Sequence, residues 1–302
     1  MFSAEPTRAS SSMALPNGAV PRPAGAAPVR RWQAVGLVVV SYLVANVIAS
    51  VITDPTHPRT LSPLPFLLSI LAGLLGAVTL GPLAQRLRLP RTSRLVVVAL
   101  LAYLLSVATN EVEALLFIKD SSPLVLVTGA VLALGLAVPV TLLWPPADTG
   151  TAVINLRDTL ASRHWWSWAW RLVLASLLWV PVYLAFAAAD APFVHRYYHE
   201  TGTPFVVPSG GVVAAAELGR GVLHALVLGV LGALLGGGRL RRWFWLALTF
   251  ALFNAWLPLI QHTDWPYYLR GANLVEITCD AIIYGGLVAL LIGRRATRTP
   301  RE

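Results

Sequence analysis

The stretch GVVAAAELGRGVLHALVLGVLGALL, Gly211 to Leu235, decides the fold of this protein. As a helix with a rise of 1.5 Å per residue it is long enough to cross a hydrocarbon core roughly 30 Å thick. Three of its side chains are exceptions to an otherwise apolar run: Glu217, Arg220 and His224. Each of them is costly in lipid, so each needs a partner or a function.

Comparable apolar stretches recur along the whole chain. Of its 302 residues, 56% are hydrophobic and 12% are charged, whereas soluble domains carry about 25% charged residues. The pattern predicts an all-α fold, a polytopic transmembrane helix bundle of about eight helices, because only helices and closed barrels satisfy their backbone in lipid. The predicted spans are 33–52, 62–83, 95–117, 123–144, 168–189, 211–235, 243–261 and 272–293. Residues 1–31 are predicted to be a disordered cytoplasmic tail, 32–294 the bundle and 295–302 a basic cytoplasmic tail.

The net charge of +9 is a topology signal rather than a sign of nucleic-acid binding. If the N-terminus is cytoplasmic, 18 of the 23 Lys and Arg residues fall on the inner side and 4 on the outer side. This bias predicts that both termini are cytoplasmic, with lipid as the partner of the basic surface. Arg-rich, Ala-rich composition favours a bacterial protein, and we expect it in the cytoplasmic (plasma) membrane.

Polar residues within the predicted spans share one depth. Glu217, Arg220 and His224 follow at i, i+3 and i+7, and Asn273, Glu276 and Asp280 repeat that spacing on the last span, with Tyr284 one turn further. The third span carries Glu111 and Glu113, about 200° apart on the helix, and the seventh carries Asn254. Measured along the helices, most of these side chains lie in the outer half. We therefore predict a polar chamber there, between the third, sixth, seventh and eighth spans, and we count Arg270, on the outer side, among the residues that bind substrate or protons.

The predicted chamber has more acids than bases. Five carboxyls, those of Glu111, Glu113, Glu217, Glu276 and Asp280, face one Arg and one His. Insertion scales put a buried charge at about 2.5–3.5 kcal/mol. Protons, cations or water must therefore enter the chamber.

The same polar residues also fit purely structural roles. Glu217 and Arg220 can form a clamp to Glu111, Glu113 or Glu276 that fixes helix register. His224 can be a hydrogen-bonded core residue, and HRYYHE, His195 to Glu200, is predicted to lie in an outer interfacial loop.

No cofactor or metal site is indicated. The sequence has no G-x-x-x-x-G-K-[ST] and no H-E-x-x-H, so a P-loop pump and that metalloprotease class are excluded. Intramembrane metal peptidases of the abortive-infection type require an adjacent Glu pair, which NEVEALLF lacks.

ELGRG together with WPYYLRGANLVEITCDAIIYG, Trp265 to Gly285, resembles a group of bacterial multispanning membrane proteins to which no activity is attached. The resemblance covers the last four spans and depends on Arg220, Arg270, Glu276 and Tyr284. Such proteins have His where Asn273 stands here, so the resemblance lends no support to a metal or proton role at that position.

Three functions fit these features. The first is a proton-coupled transporter or permease for a small solute, in which carboxyls relay protons and Arg220 binds an anionic group. The second is an intramembrane enzyme that acts on a lipid substrate, with Glu276 or Asp280 as the general base. The third is an accessory subunit whose polar residues only fasten helices. Substrate and oligomeric state are not encoded in any motif.

Overall fold

The computed structural model describes residues 31–56, 62–118, 122–147, 156–199, 206, 208–263 and 265–292. This part of the chain forms nine helices and no strand, which confirms the predicted all-α bundle. The helices are α1 Arg31–Thr53, α2 Pro63–Arg86, α3 Arg91–Phe117, α4 Leu124–Leu143, α5 Leu156–Ala161, α6 Trp165–His199, α7 Gly210–Leu234, α8 Arg239–Gln261 and α9 Tyr267–Ile292. All except α5 are long and apolar enough to cross a membrane.

The bundle has two chemically different ends. We call the end where α2 finishes at Arg86 and α8 begins at Arg239 the basic end, and the end where α3 finishes at Phe117 and α9 begins at Tyr267 the acidic end. The prediction that the basic end faces the cytoplasm depends on the charge bias alone. The predicted tails lie outside the described residues, except for Arg31, which begins α1.

Helix α6 is longer than the sequence predicts. The predicted span ended at residue 189 because Asp190 interrupts the apolar run, but the helix continues through HRYYH to His199. The prediction that His195 to Glu200 form an outer loop was therefore wrong for residues 195–199, which are helical. Asp190 and Val194 are buried, so this extension packs against the bundle. Pro181 and Pro192 lie within the helix, as membrane helices tolerate.

Two helices contain a π-helical turn that the sequence did not predict. One occupies Leu104–Ala108 in α3 and the other Leu252–Trp256 in α8. The two turns contact each other, and just after the first, Thr109 Oγ1 donates a hydrogen bond to Asn254 Oδ1 at 3.3 Å. Such turns widen a helix locally and are frequent at functional sites.

The bundle consists of two structurally similar halves, α1–α4 and α6–α9. Helix α1 packs on α2 and α4 as α6 packs on α7 and α9, and α3 packs on α4 as α8 packs on α9. Helices α3 and α8 match in detail, since each begins with 13 α-helical residues followed by a five-residue π turn. Both starts and both turns differ by 148 residues, from 91 to 239 and from 104 to 252. With four spans per half, the halves have the same orientation in the membrane.

A glycine at a close contact between two helices recurs at the same offset of 148 residues. A Cβ on Gly73 would lie 3.2 Å from Val39 Cα and 3.4 Å from Tyr42 Cβ, so α2 approaches α1 there. Its counterpart Gly221 brings α7 against α6, where a Cβ would lie 2.5 Å from the Ser176 carbonyl oxygen. Small residues at such crossings let helix backbones approach closely in lipid.

We expect Gly221→Ala to destabilise the protein, because the added methyl group meets backbone rather than a movable side chain. Gly219→Ala is the matched control, since a Cβ there meets nothing within 4 Å. Thermal melting in detergent should fall for Gly221→Ala and stay unchanged or rise slightly for Gly219→Ala, given the better helix propensity of Ala. Equal melting temperatures would contradict the close α6–α7 contact.

The orientation can be tested with single cysteines in a Cys279→Ser background. Ser122 is exposed at the acidic end and Ser162 at the basic end. If the basic end is cytoplasmic, a membrane-impermeant maleimide labels Ser122→Cys in intact cells. Ser162→Cys is then labelled only after permeabilisation, and the reverse pattern would invert the topology.

Candidate functional site

A cavity of about 230 Å³ opens toward the acidic end, and we call it the chamber. Five helices line it: α3, α6, α7, α8 and α9. Its polar lining consists of Glu113, Tyr183, Asp190, His195, Tyr198, Arg220, Asn254, Asn273, Glu276 and Asp280. The sequence predicted all of the contributing helices except α6.

Arg220 is the central buried charge of this region. Its Nη1 donates to Glu217 Oε1 at 2.8 Å and lies 3.0 Å from Glu113 Oε2. Arg220 is 2% exposed and Glu217 1%, so neither is solvated by bulk water. Trp179 Nε1 donates to the other carboxylate oxygen, Glu217 Oε2, at 2.8 Å. A buried ion pair is tolerated when hydrogen bonds of this kind satisfy its remaining atoms.

Aromatic rings complete the Arg220 environment. The guanidinium carbon lies 5.8 Å from the Trp179 ring centroid and 5.9 Å from that of Tyr183, within range of a cation–π contact. The clamp considered for Glu217 and Arg220 therefore has Glu113 as its third member. The two carboxylates contact Nη1 and reduce the positive charge that Arg220 offers to an anionic substrate group, although its Nε has no hydrogen-bond partner.

A second pair of acids lies nearer the mouth of the chamber. Asp190 on α6 and Glu276 on α9 both line the chamber, and their carboxyl groups interact. Because an ionised carboxylate can only accept, a hydrogen bond between the two would require a proton on one of them. Asp190 was not predicted as a chamber residue because the predicted span ended one residue before it. The sequence pattern that could have identified Asp190 is its spacing from Trp179, Tyr183 and Tyr198. This spacing is close to helical and places the four side chains along one face of α6.

Three buried polar atoms of chamber-lining residues have no hydrogen-bond partner. They are Asp280 Oδ1, Asn254 Nδ2 and Arg220 Nε, each on a side chain at most 2% exposed. The Asn254 oxygen is already engaged by Thr109, so its free atom is a donor. The chamber thus presents one unused acceptor and two unused donors.

Aromatic side chains close the chamber toward the basic end. His224 is fully buried, with its ring centroid 4.5 Å from Trp179 and 4.5 Å from Phe250, and neither ring nitrogen has a hydrogen-bond partner. Tyr284 donates its hydroxyl to the Ala175 carbonyl at 3.1 Å. Both were predicted chamber residues, yet they lie beneath its lining. Buried apolar residues fill the bundle below them: Leu228, Leu231, Val288, Ala289 and Ile292.

A larger cavity of about 420 Å³, which we call the groove, adjoins the chamber between α3, α4 and α8. Six lining residues belong to both cavities: Glu113, Phe117, Tyr198, Asn254, Asn273 and Ile277. Glu111 lines the groove alone, whereas Glu113 lines both cavities, so the two acids share the groove. Asn273 lines both cavities, with Nδ2 donating to the Leu269 carbonyl at 2.8 Å, whereas Arg270 lines neither.

The groove exists because α3 leaves α4 after its π turn. Before Leu104 the helix packs along α4, and after Ala108 it packs on α7. The first turns of α4, residues 122–127, are consequently exposed. The apolar walls of the groove include Val107, Val125, Gly129 and Leu132.

In the described part of the chain, no three His, Cys, Asp or Glu side chains are grouped as metal ligands. Glu113 instead contacts Arg220, and Asp190 and Glu276 interact with each other.

The fold and the chamber define a multi-pass, all-α integral membrane protein with a polar cavity in one half of the bundle. No family model, no curated protein and no solved structure matches the chain. Function must therefore be argued from the chamber itself.

We expect Trp179→Phe to lower the thermal stability, because it removes the donor to Glu217. A hydrogen bond to a charged group contributes about 1.5–3 kcal/mol. Trp166→Phe is the matched control, since that ring is 60% exposed. Melting in detergent should drop for Trp179→Phe and stay unchanged for Trp166→Phe. Equal melting of the two single variants would contradict the buried network.

Proposed function

We propose that this protein is a proton-coupled transporter that binds a small solute in the chamber from the acidic end. The observation that carries the proposal is the pairing of the Asp190 and Glu276 carboxyls in a chamber closed toward the basic end, since two adjoining carboxyls in a buried site can share one proton. Acid chains of this kind serve as proton relays in pumps and transporters.

The two similar halves support this class of function. In many secondary transporters the substrate site lies where internal repeats meet, and irregular helices line it. Here α3 of the first half supplies Glu113 to a chamber otherwise built by the second half. Asn254 stands in the π turn of α8 and also lines the chamber. A π turn can revert to regular α-helix, which rotates the rest of the helix, so α3 and α8 are suitable moving parts.

Other charged groups surround the Asp190–Glu276 pair and change its affinity for a proton. Glu113 and Asp280 add negative charge on the chamber side, and Arg220 adds positive charge beneath. The titratable and charged groups that face the pair are Glu113 on α3, Tyr183, His195 and Tyr198 on α6, Glu217 and Arg220 on α7, and Asp280 on α9. A cationic solute that enters this field favours release of the shared proton, and that exchange is the coupling step.

Alternating access requires the aromatic floor to open. Trp179, His224, Phe250 and Tyr284 come from α6, α7, α8 and α9, so relative movement of these helices separates the rings. The described state corresponds to a chamber open toward the acidic end.

The second candidate function is an enzyme that acts on a lipid substrate within the membrane. The continuity of chamber and groove favours it, because a headgroup in the chamber could keep its chain in the groove. An enzyme would release a chemically altered product, whereas a transporter returns the same solute on the other side.

Uptake into proteoliposomes tests the proposal. A panel of radiolabelled amines, neutral amino acids, hexoses and short carboxylates is offered with and without an imposed pH gradient. We expect one class to accumulate when the gradient is present. Glu276→Gln should abolish that gradient dependence and retain solute exchange, because the amide keeps the cavity shape but cannot release a proton.

Asp158→Asn is the control, since Asp158 is exposed on α5, away from the chamber. The proposal fails if no class is taken up, or if Glu276→Gln responds to the gradient as the native protein does. If Glu217→Gln, Arg220→Ala and Glu276→Gln all preserve uptake and only lower the melting temperature, the acids and Arg220 have a structural role alone.

A further inference from the structure

We propose that the solute of the chamber is an amphiphilic ammonium compound, whose N–H groups bind Asp280 and whose apolar tail lies in the groove between α3 and α4. This inference names the substrate class of the proposed function and rests on the chamber being its solute site.

The first support is the unsatisfied acceptor. Asp280 is 1% exposed, lines the chamber, and its Oδ1 receives no hydrogen bond. A buried carboxylate oxygen without a donor is costly, so the site is completed by a ligand that donates. Arg220, the nearest cation below, is already bound by Glu113 and Glu217.

The second support is the charge of the chamber. Five carboxyls lie in or against the chamber, those of Glu113, Asp190, Glu217, Glu276 and Asp280, and one guanidinium, that of Arg220, faces them. This excess of acids disfavours an anion, and a cation of the solute would offset the negative charge of those carboxyls that are ionised.

The third support is that the free atoms of the chamber fit an organic cation better than a metal ion. Hard metal cations take six or more oxygen ligands, but Glu113, Asp190 and Glu276 are committed to other partners. The other two atoms without a partner, Asn254 Nδ2 and Arg220 Nε, are N–H donors and cannot bind a cation. Asn254 Nδ2 suits a hydroxyl or carbonyl oxygen that lies near the ammonium group of an organic solute.

The fourth support is the groove itself. It shares Phe117, Tyr198 and Ile277 with the chamber and continues along the apolar residues Val107, Val125 and Leu132. A headgroup at Asp280 therefore has a contiguous apolar path for a tail. Because the first turns of α4 are exposed, that path leads toward the lipid-facing side of the bundle.

Binding of tritiated octylammonium to the full-length protein in phosphatidylcholine nanodiscs tests the inference. These lipids carry a quaternary ammonium, which has no N–H to donate. Unlabelled octylammonium should displace the probe at least about tenfold better than octanol or octyl sulfate, as expected when a charged hydrogen bond is lost. Equal displacement by octanol would overturn the proposal without any variant having to fold.

Variants then locate the two parts of the ligand. Asp280→Asn should weaken octylammonium binding at least about tenfold, and Asp158→Asn should leave it unchanged. Val125→Trp fills the groove and should weaken octylammonium but not butylammonium, whereas Val127→Trp, on α4 but outside the groove lining, should affect neither. Full binding by Asp280→Asn, or equal effects of the two Trp variants, would overturn the proposal.

The same assay identifies the source of the ligand and separates this inference from transport. Weaker probe binding in nanodiscs that contain phosphatidylethanolamine identifies a lipid headgroup as the occupant, and unchanged binding identifies an amine from solution. Ammonium-selective binding without uptake refutes only the transporter. Uptake of another solute class, with no ammonium binding, refutes only the ligand assignment.

Discussion

The buried guanidinium of Arg220 is the constraint on which the rest of the second half depends. A charge that is 2% exposed inside a membrane bundle must be neutralised and hydrogen-bonded by the protein itself. Glu217 supplies one carboxylate from the same helix, and Glu113 supplies the other from the first half of the chain. Trp179 then satisfies the far side of Glu217. One side chain thereby fixes α3, α6 and α7 relative to each other and joins the two halves.

Once Arg220 is neutralised, the chemistry of the chamber is set by the acids that remain. Asp190 and Glu276 pair with each other, and Asp280 has one oxygen with no donor. The sequence predicts that the lone Arg binds an anionic group, and this arrangement argues against that role. An arginine that already holds two carboxylates offers little to a third, and the excess of acids favours protons and cations instead.

Hydropathy and spacing predicted the spans and most of the chamber, because both depend on local sequence. Of the two stripes, Arg220 on α7 and Asn273, Glu276 and Asp280 on α9 line the chamber, whereas Glu217, His224 and Tyr284 do not. Glu111 and Glu113 share the groove, and only Glu113 also lines the chamber. Asp190 was missed because a hydropathy boundary was equated with a helix end, although burial of Asp190 and Val194 by tertiary packing extends α6 to His199. The π turns and the groove were not predictable, since they arise from how α3 and α8 cross, which no single segment encodes.

The two halves allow the structural and functional demands on these polar residues to be separated. At an offset of 148 residues, Glu217, Arg220 and His224 correspond to Ser69, Ala72 and Gly76 in α2, and Asp280 and Tyr284 correspond to Leu132 and Leu136 in α4. The first half nevertheless assembles its four spans with the same helix neighbours. Its counterpart cavity measures only about 40 Å³ and is lined by groups such as Tyr42, Ser106, Leu136 and Gln261. Since the four-helix arrangement forms without an acid or an arginine at these positions, helix packing alone does not demand them in the second half. A costly set of buried charges that the fold does not need is best explained by what it binds.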